Sequence, residues 1–231
     1  MKVPRISRKT IAQRAHALLD AFQTLAGYRV RPPVPVDEIV ERALGLRLFY
    51  VDLEKALGYG DVLGATYVDT GVICINERLF EQGSEGRLVF TCAHEAGHWV
   101  LHRRYAAPGH RGGRGRTVVC RLKNAREPIE WQADYFAACL LMPEAEVREA
   151  FDNVCGSEPL IVRGVMGKSG HEDQPEGPFV EQWPFIAAAV CQEGGFSNVS
   201  MQAMIIRLQE LGLLINRTST QMNWEALRAG A

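Results

Sequence analysis

The chain is predicted to be an α+β protein: a small, largely antiparallel sheet, then two long apolar helices, then a helical module at the C-terminal end. Three observations carry this. Residues 46–53, 64–69 and 71–76 are short runs rich in Val, Ile, Leu and Tyr that read as strands, and Asp69-Thr70-Gly71 between the last two is a hairpin turn signal. Residues 88–102 and 130–142 are largely apolar over helical lengths, yet each carries ionisable side chains that burial would penalise unless they are paired or ligated. Residues 183–214 divide into two helices around a Gly-rich turn.

At 231 residues and 47% hydrophobic content, the chain can bury one sizeable core, or one core with a small satellite. Its net charge of -1 predicts no general affinity for polyanions. Residues 1–20 begin with four cations, and Arg14, His16 and Asp20 interrupt any apolar core of a secretory signal. No stretch approaches the roughly 20 apolar residues that cross a bilayer. The expectation is a cytoplasmic protein without a membrane partner. Six cysteines are scattered without a C-x-x-C pair, the pattern of reduced, mostly buried thiols.

Ile11, Ala15, Leu18, Leu19, Phe22 and Leu25 recur at helical spacing, so residues 11–26 form an amphipathic helix. Arg31-Pro32-Pro33-Val34-Pro35 is an extended connector, because proline disfavours helix for itself and the residue before it. Val36-Asp37-Glu38 opens a second short helix to Ala43, with Gly45 as its C-cap. After the strands, Ser84 is placed to cap the first long apolar helix, with Glu85 in its first turn.

That helix holds His94-Glu95-Ala96-Gly97-His98. Residues four apart leave a helix from the same face, so both imidazoles can close on one divalent ion at about 2.0–2.1 Å each. Glu95 sits at the edge of that face, where it reaches a water on the metal without taking a coordination place. A metal that lowers the pKa of water to about 7, beside a carboxylate base, is the arrangement of metal-assisted amide hydrolysis. The bland alternative, a solvated helix with two histidines, conflicts with the apolar flanks Leu88, Val89, Phe90, Trp99, Val100 and Leu101.

Residues 103–126 hold eight Lys/Arg and no acid, with the run His110-Arg111-Gly112-Gly113-Arg114-Gly115-Arg116. This segment reads as a solvated, mobile loop in preference to a basic lip for an acidic or nucleic-acid partner. Residues 130–142 then form the second apolar helix, stopped at Pro143, with Glu130 and Asp134 one turn apart. A zinc site with two histidines takes a third protein ligand and keeps a fourth position open. Glu130 can supply it, and Asp134 can accept the second N–H of a ligating histidine. Without His94 and His98, two salt-bridged acids on an ordinary helix would be the better reading.

Together, Phe90 to His102 with its His-Glu-x-x-His core and the downstream Glu130-Trp131-Gln132-Ala133-Asp134-Tyr135-Phe136-Ala137 and Leu140-Leu141-Met142-Pro143 resemble the ImmA/IrrE family of metallopeptidases. The resemblance spans residues 11–151. It implies a minimal zincin-like domain, supports Glu130 as third ligand and Asp134 behind the ligands, and implies cleavage of helix-turn-helix repressors in bacterial stress or mobile-element regulation. The metzincin pattern fails, since it wants Gly at position 101 and His at 104, where this chain has Leu101 and Arg104. His102, one turn beyond His98, is either a supporting residue of the site or a helix-end histidine favoured by the dipole. Zn²⁺ is expected ahead of Mn²⁺, because imidazole ligands suit it.

Residues 151–182 are rich in Gly, Pro and Glu and read as a linker, and His171-Glu172-Asp173 within it as solvated loop. The division is then 1–150 for the peptidase domain, 151–182 for the linker and 183–231 for a helical, helix-turn-helix-like module. In that module Ser200 caps the second helix, whose outer positions are Gln202, Arg207, Gln209 and Glu210, followed by a ragged tail from Asn216. One cation is too few for sequence-specific DNA binding. Packing or partner recognition is the favoured role, and nucleic-acid contact through 183–214 or the basic loop 103–126 is disfavoured. The competing class is a transcriptional regulator whose metal site is structural or degenerate.

Overall fold

The computed structural model of the chain describes residues 3–58, 60–81, 85–106, 117–121, 127–163 and 182–217. Helix α1 (Arg8–Ala26) starts at Ser7, whose hydroxyl accepts from the Thr10 N–H at 3.1 Å, and closes at Gly27 with φ +76°. Ile11, Ala15, Leu18, Leu19 and Phe22 are its buried stripe, while Leu25 in the last turn is exposed, so the stripe ends before the helix does. Helix α2 (Val36–Glu38) passes into a π turn, Ile39–Ala43, closed by the Leu44 N–H on the Ile39 carbonyl at 3.1 Å.

The sheet has four strands in the order β1 (Arg47–Val51), β3 (Val72–Asn76), β2 (Val62–Tyr67), β4 (Thr117–Arg121). β2 pairs antiparallel with both β3 and β4, but β1 runs parallel to β3. The expected first strand is cut short because Asp52 caps a small helix, α3 (Leu53–Leu57), its carboxylate accepting from the Lys55 N–H at 3.0 Å. β4 corrects the reading of 103–126 as a loop throughout. Thr117-Val118-Val119 is β-branched, and β2 would otherwise present an unpaired edge. The surrounding Gly and Arg masked that signal; His110 to Arg116 lie outside the described residues, as does Ser84.

After a single turn, α4 (Arg78–Glu81), the long helices α5 (Glu85–His102) and α6 (Pro128–Leu141) pack together, with α5 on the sheet and α1 against α6. Their apolar faces form the main core, which includes Ile11, Phe22, Ile73, Ile75, Ala93, Phe136 and Leu140. On the other face of the sheet, Leu53, Val62 and Ala65 make a small cluster under α3.

A second cluster joins α7 (Glu144–Cys155), α8 (Trp183–Glu193) and α9 (Met201–Glu210), centred on Phe151, Val190, Phe196, Met204 and Leu208. Helix α7 runs through residue 151. β5 (Leu160–Arg163), inside the expected linker, pairs in parallel with β6 (Leu214–Arg217), at the start of the expected tail. Residues 164–181, with His171-Glu172-Asp173, lie outside the described residues. Ser200 caps α9, accepting from the Ala203 N–H at 3.1 Å. Arg207, read as an outer cation, is instead buried and donates from Nε to the Met142 carbonyl at 3.0 Å. The cysteines 74, 92, 139, 155 and 191 are free thiols. Among the described residues, no helix is long and apolar enough to cross a membrane.

Candidate metal centre

The centre is built where α5 and α6 cross, and a glycine sets how close they come. A Cβ on Gly97 would meet the Ala133 Cα and carbonyl oxygen at 3.2 Å and Phe136 Cδ1 at 3.1 Å. Only with hydrogen there can the backbone of α6 lie against α5 and bring Glu130, in the first turn of α6, over the histidines. His94 Nε2, His98 Nε2 and Glu130 Oε2 then converge: the first two are 2.9 Å apart, and Glu130 Oε2 is 3.1 Å from His94 Nε2 and 3.5 Å from His98 Nε2. Neighbouring donors of a tetrahedral ion with bonds of about 2.0–2.1 Å stand about 3.3–3.4 Å apart, so this triangle has the right size. All three residues are buried, at 4% exposure or less.

The chemistry of the donors fits a cation equally well. Asp134 Oδ1 lies 2.8 Å from His94 Nδ1, so that nitrogen carries the proton and Nε2 turns its lone pair to the centre. Burial alone would raise Glu130, but hydrogen bonds to His94 and His98 and their proximity outweigh it and hold the carboxyl at about 2. Burial, reinforced by His94, pushes His98 down to about 4 against the pull of Glu130. A buried carboxylate facing two imidazole nitrogens is a donor set that suits a divalent metal ion.

Glu95 stands beside the triangle without joining it. Its side chain points back to the sheet, where Thr66 Oγ1 donates to Oε2 at 2.5 Å. Oε1 is buried with no hydrogen-bond partner among the described residues. Gly64 makes room for it, since a Cβ there would come 2.5 Å from Oε1. Residues 64 and 66 are two apart on β2 and so share the face that meets α5. Burial pushes Glu95 up to about 7, against the lowering effects of His94 and the Thr66 hydrogen bond and with a further push from Glu130. A carboxyl poised near neutrality can both accept and return a proton.

His102 occupies the next turn of α5, wholly buried, with Nδ1 3.0 Å from His98 Nδ1 and Nε2 3.3 Å from Gln132 Oε1. Every residue singled out in the sequence therefore falls in one constellation: His94, His98 and Glu130 as a triangle, Glu95 beside it, Asp134 and His102 behind the imidazoles. Three further contributors, Thr66, Gly64 and Gln132, carry no signature in the sequence. Nothing in a strand's residue pattern says which helix side chain will lean on it. Gln132, flanked by the two acids of α6, is legible only once His102 is seen beneath it.

None of the curated proteins compared with the chain matches it. Residues 41–154 match the family described as the IrrE N-terminal-like domain, peptidase M78, a span that takes in the sheet, both histidines, Glu95 and Glu130. Residues 41–154 of the chain are thus a domain of that peptidase family.

Proposed function

We propose that the chain is a metal-dependent endopeptidase that cuts a helix-turn-helix repressor at a defined site. The observation that supports this most is the pairing of the His94–His98–Glu130 triangle with a separate, partly unsatisfied carboxylate at Glu95. A structural site needs the first and has no use for the second. His94, His98 and Glu130 would hold the ion, preferably Zn²⁺, with Mn²⁺ as the second candidate. Bound there, the ion supplies Lewis acidity toward the scissile carbonyl and toward water. Glu95 takes a proton from the attacking water at Oε1 and returns it to the departing amine nitrogen. Thr66 keeps the carboxylate pointed while it does so, and Asp134 keeps His94 in the tautomer that leaves Nε2 free.

The repressor as substrate rests on the resemblance to the ImmA/IrrE proteins, with the cytoplasm as its place. The chain's own surface agrees. Phe185 on α8 and Met201 and Ile206 on α9 are exposed apolar side chains on the C-terminal helices, suited to docking a protein before cleavage. With Arg207 buried, α9 offers little to a phosphate backbone.

The test is incubation of wild type and Glu95→Gln with a helix-turn-helix repressor encoded beside the protease gene, with Zn²⁺ or Mn²⁺ supplied and fragment masses read out. One cut by wild type, and a rate at least ~10² lower for Glu95→Gln at equal metal content, is the expected result. An intact repressor alongside rapid digestion of unrelated unfolded proteins would leave a generic peptidase. Full metal occupancy after replacing both His94 and His98 by Ala would remove the metal site itself.

A further inference from the structure

His94 has Asp134 to fix its proton, but His98 has only another imidazole behind it. That leaves two ways to place protons along the buried chain His94–His98–His102–Gln132. In the first, His98 carries its proton on Nδ1, donates it to His102 Nδ1 across 3.0 Å, and keeps a bare Nε2 in the triangle. In the second, His102 donates from Nδ1 to His98, and His98 Nε2–H points at His94 Nε2, 2.9 Å away. The second arrangement plugs the centre with a proton and satisfies both front imidazoles without any metal.

What separates the two is the far end. His102 Nε2 lies 3.3 Å from Gln132 Oε1, an atom that can only accept. The first arrangement gives that oxygen a proton; the second sets a lone pair against it. A flipped amide would rescue the second, presenting Nε2–H to His102. The flip is blocked, because Gln132 Nε2 donates to the Pro4 carbonyl at 3.2 Å, and a flip would turn oxygen on oxygen. Bulk water does not reach this contact, since His98, His102 and Gln132 are exposed by 1% or less. The carbonyl is itself held in place. Ile6 is buried beside it, and the Arg8 guanidinium lies over the Trp131 and Tyr135 rings that flank Gln132 on α6, 5.7 and 5.4 Å from their centroids.

We propose that Gln132, pinned by the Pro4 carbonyl, is a positioning residue that acts through His102 to keep His98 protonated on Nδ1 and its Nε2 open for the metal. The segment ahead of α1 is thereby wired to the centre across three side chains. The consequence for affinity rests on the metal-site reading; the tautomer does not.

The experiment is ¹⁵N–¹H correlation of the imidazoles in metal-free full-length protein, wild type and Gln132→Met, followed by titration of each with Zn²⁺. Methionine keeps the length and fills the space but offers only a weak acceptor. Wild type should show protons on His94 Nδ1, His98 Nδ1 and His102 Nε2. Gln132→Met should move the His98 proton toward Nε2 and weaken Zn²⁺ about 10- to 100-fold, the usual cost of losing an outer partner. A proton on His98 Nε2 in the wild type overturns the proposal without reference to any variant. An unmoved His98 signal in Gln132→Met overturns it as well. The expected tautomers in a wild type that binds no Zn²⁺ would uphold the relay and sink the metal reading instead.

Discussion

Gly64 and Glu95 are in contact: the carboxylate lies so close that a Cβ on Gly64 would come 2.5 Å from Oε1, 2.8 Å from Cγ and 2.9 Å from Cδ. Glu95 is fully buried and tied at Oε2, so it has nowhere to retreat except toward the triangle. Gly64→Ala should therefore leave the metal ligands untouched and displace the proposed base. The expected outcome is full metal content with peptide hydrolysis lower by roughly 10²-fold, the effect of a displacement of about 1 Å at a reacting group. Equal turnover of the two proteins would show that Glu95 acts from another position.

Thr66→Val tests the other side of the same carboxylate. The hydroxyl donates to Glu95 Oε2 and lowers its proton affinity, while burial already places it at about 7. Removing a donor to the charged form raises the pKa further, so Glu95 stays protonated to higher pH. A protonated carboxyl is no base. The acidic limb of the pH–rate profile should thus move upward in Thr66→Val, measured with metal saturating in both proteins. A limb that stays put would assign that ionisation to another group.

These two residues also mark where the sequence stopped being informative. The triangle was legible because it is mostly local. His94 and His98 are four apart on one helix, and Glu130 and Asp134 are four apart on another, so helical periodicity alone puts each pair on one face. The support from the sheet is not local: Thr66 meets Glu95 across 29 residues, and only the packing of α5 on β2 joins them. Strand β4 is hard to read for a related reason: its β-branched Thr117-Val118-Val119 is short, sits among Gly and Arg, and is called into a strand by the open edge of β2. The two C-terminal helices, Trp183–Glu193 and Met201–Glu210, fall within the stretch that residues 183–214 predict. The apolar face of α7 packs into the second cluster, and Arg207, expected at an outer position, is buried.

Gly97→Ala should damage the centre from a distance. The added methyl meets the α6 backbone at Ala133, which cannot swing away as a side-chain end can. Overpacking of this kind costs about 1–3 kcal/mol of stability. More specifically, it pushes apart the two helices that carry His94 and His98 on one side and Glu130 on the other. Weaker Zn²⁺ binding should accompany the lower melting temperature. Lower stability with unchanged Zn²⁺ affinity would mean that Glu130 can follow the histidines without close helix contact.

Acid should destabilise the metal-free protein, and the sign follows from three buried groups. His98 and His102 are held at about 4 by burial, below the ordinary 6.5, so the unfolded chain takes up their protons first and stability falls as pH drops from 6.5 toward 4. Glu95, raised to about 7 from an ordinary 4.5, works the other way: the folded protein binds its proton first, and stability rises as pH drops through that window. Between pH 6 and pH 5, unfolding then takes up two protons and releases one. The net uptake of protons on unfolding makes stability fall as pH drops through this window. Glu130, held at about 2, adds to the loss only below its ordinary 4.5. Denaturant unfolding of the chelated protein at pH 6 and pH 5 measures the slope. A stability that rose on acidification would mean that the Glu95 proton outweighs the two imidazoles. With Zn²⁺ bound, the same titration should be steeper, because protons then compete with the ion for His94 and His98 and remove its stabilisation as well.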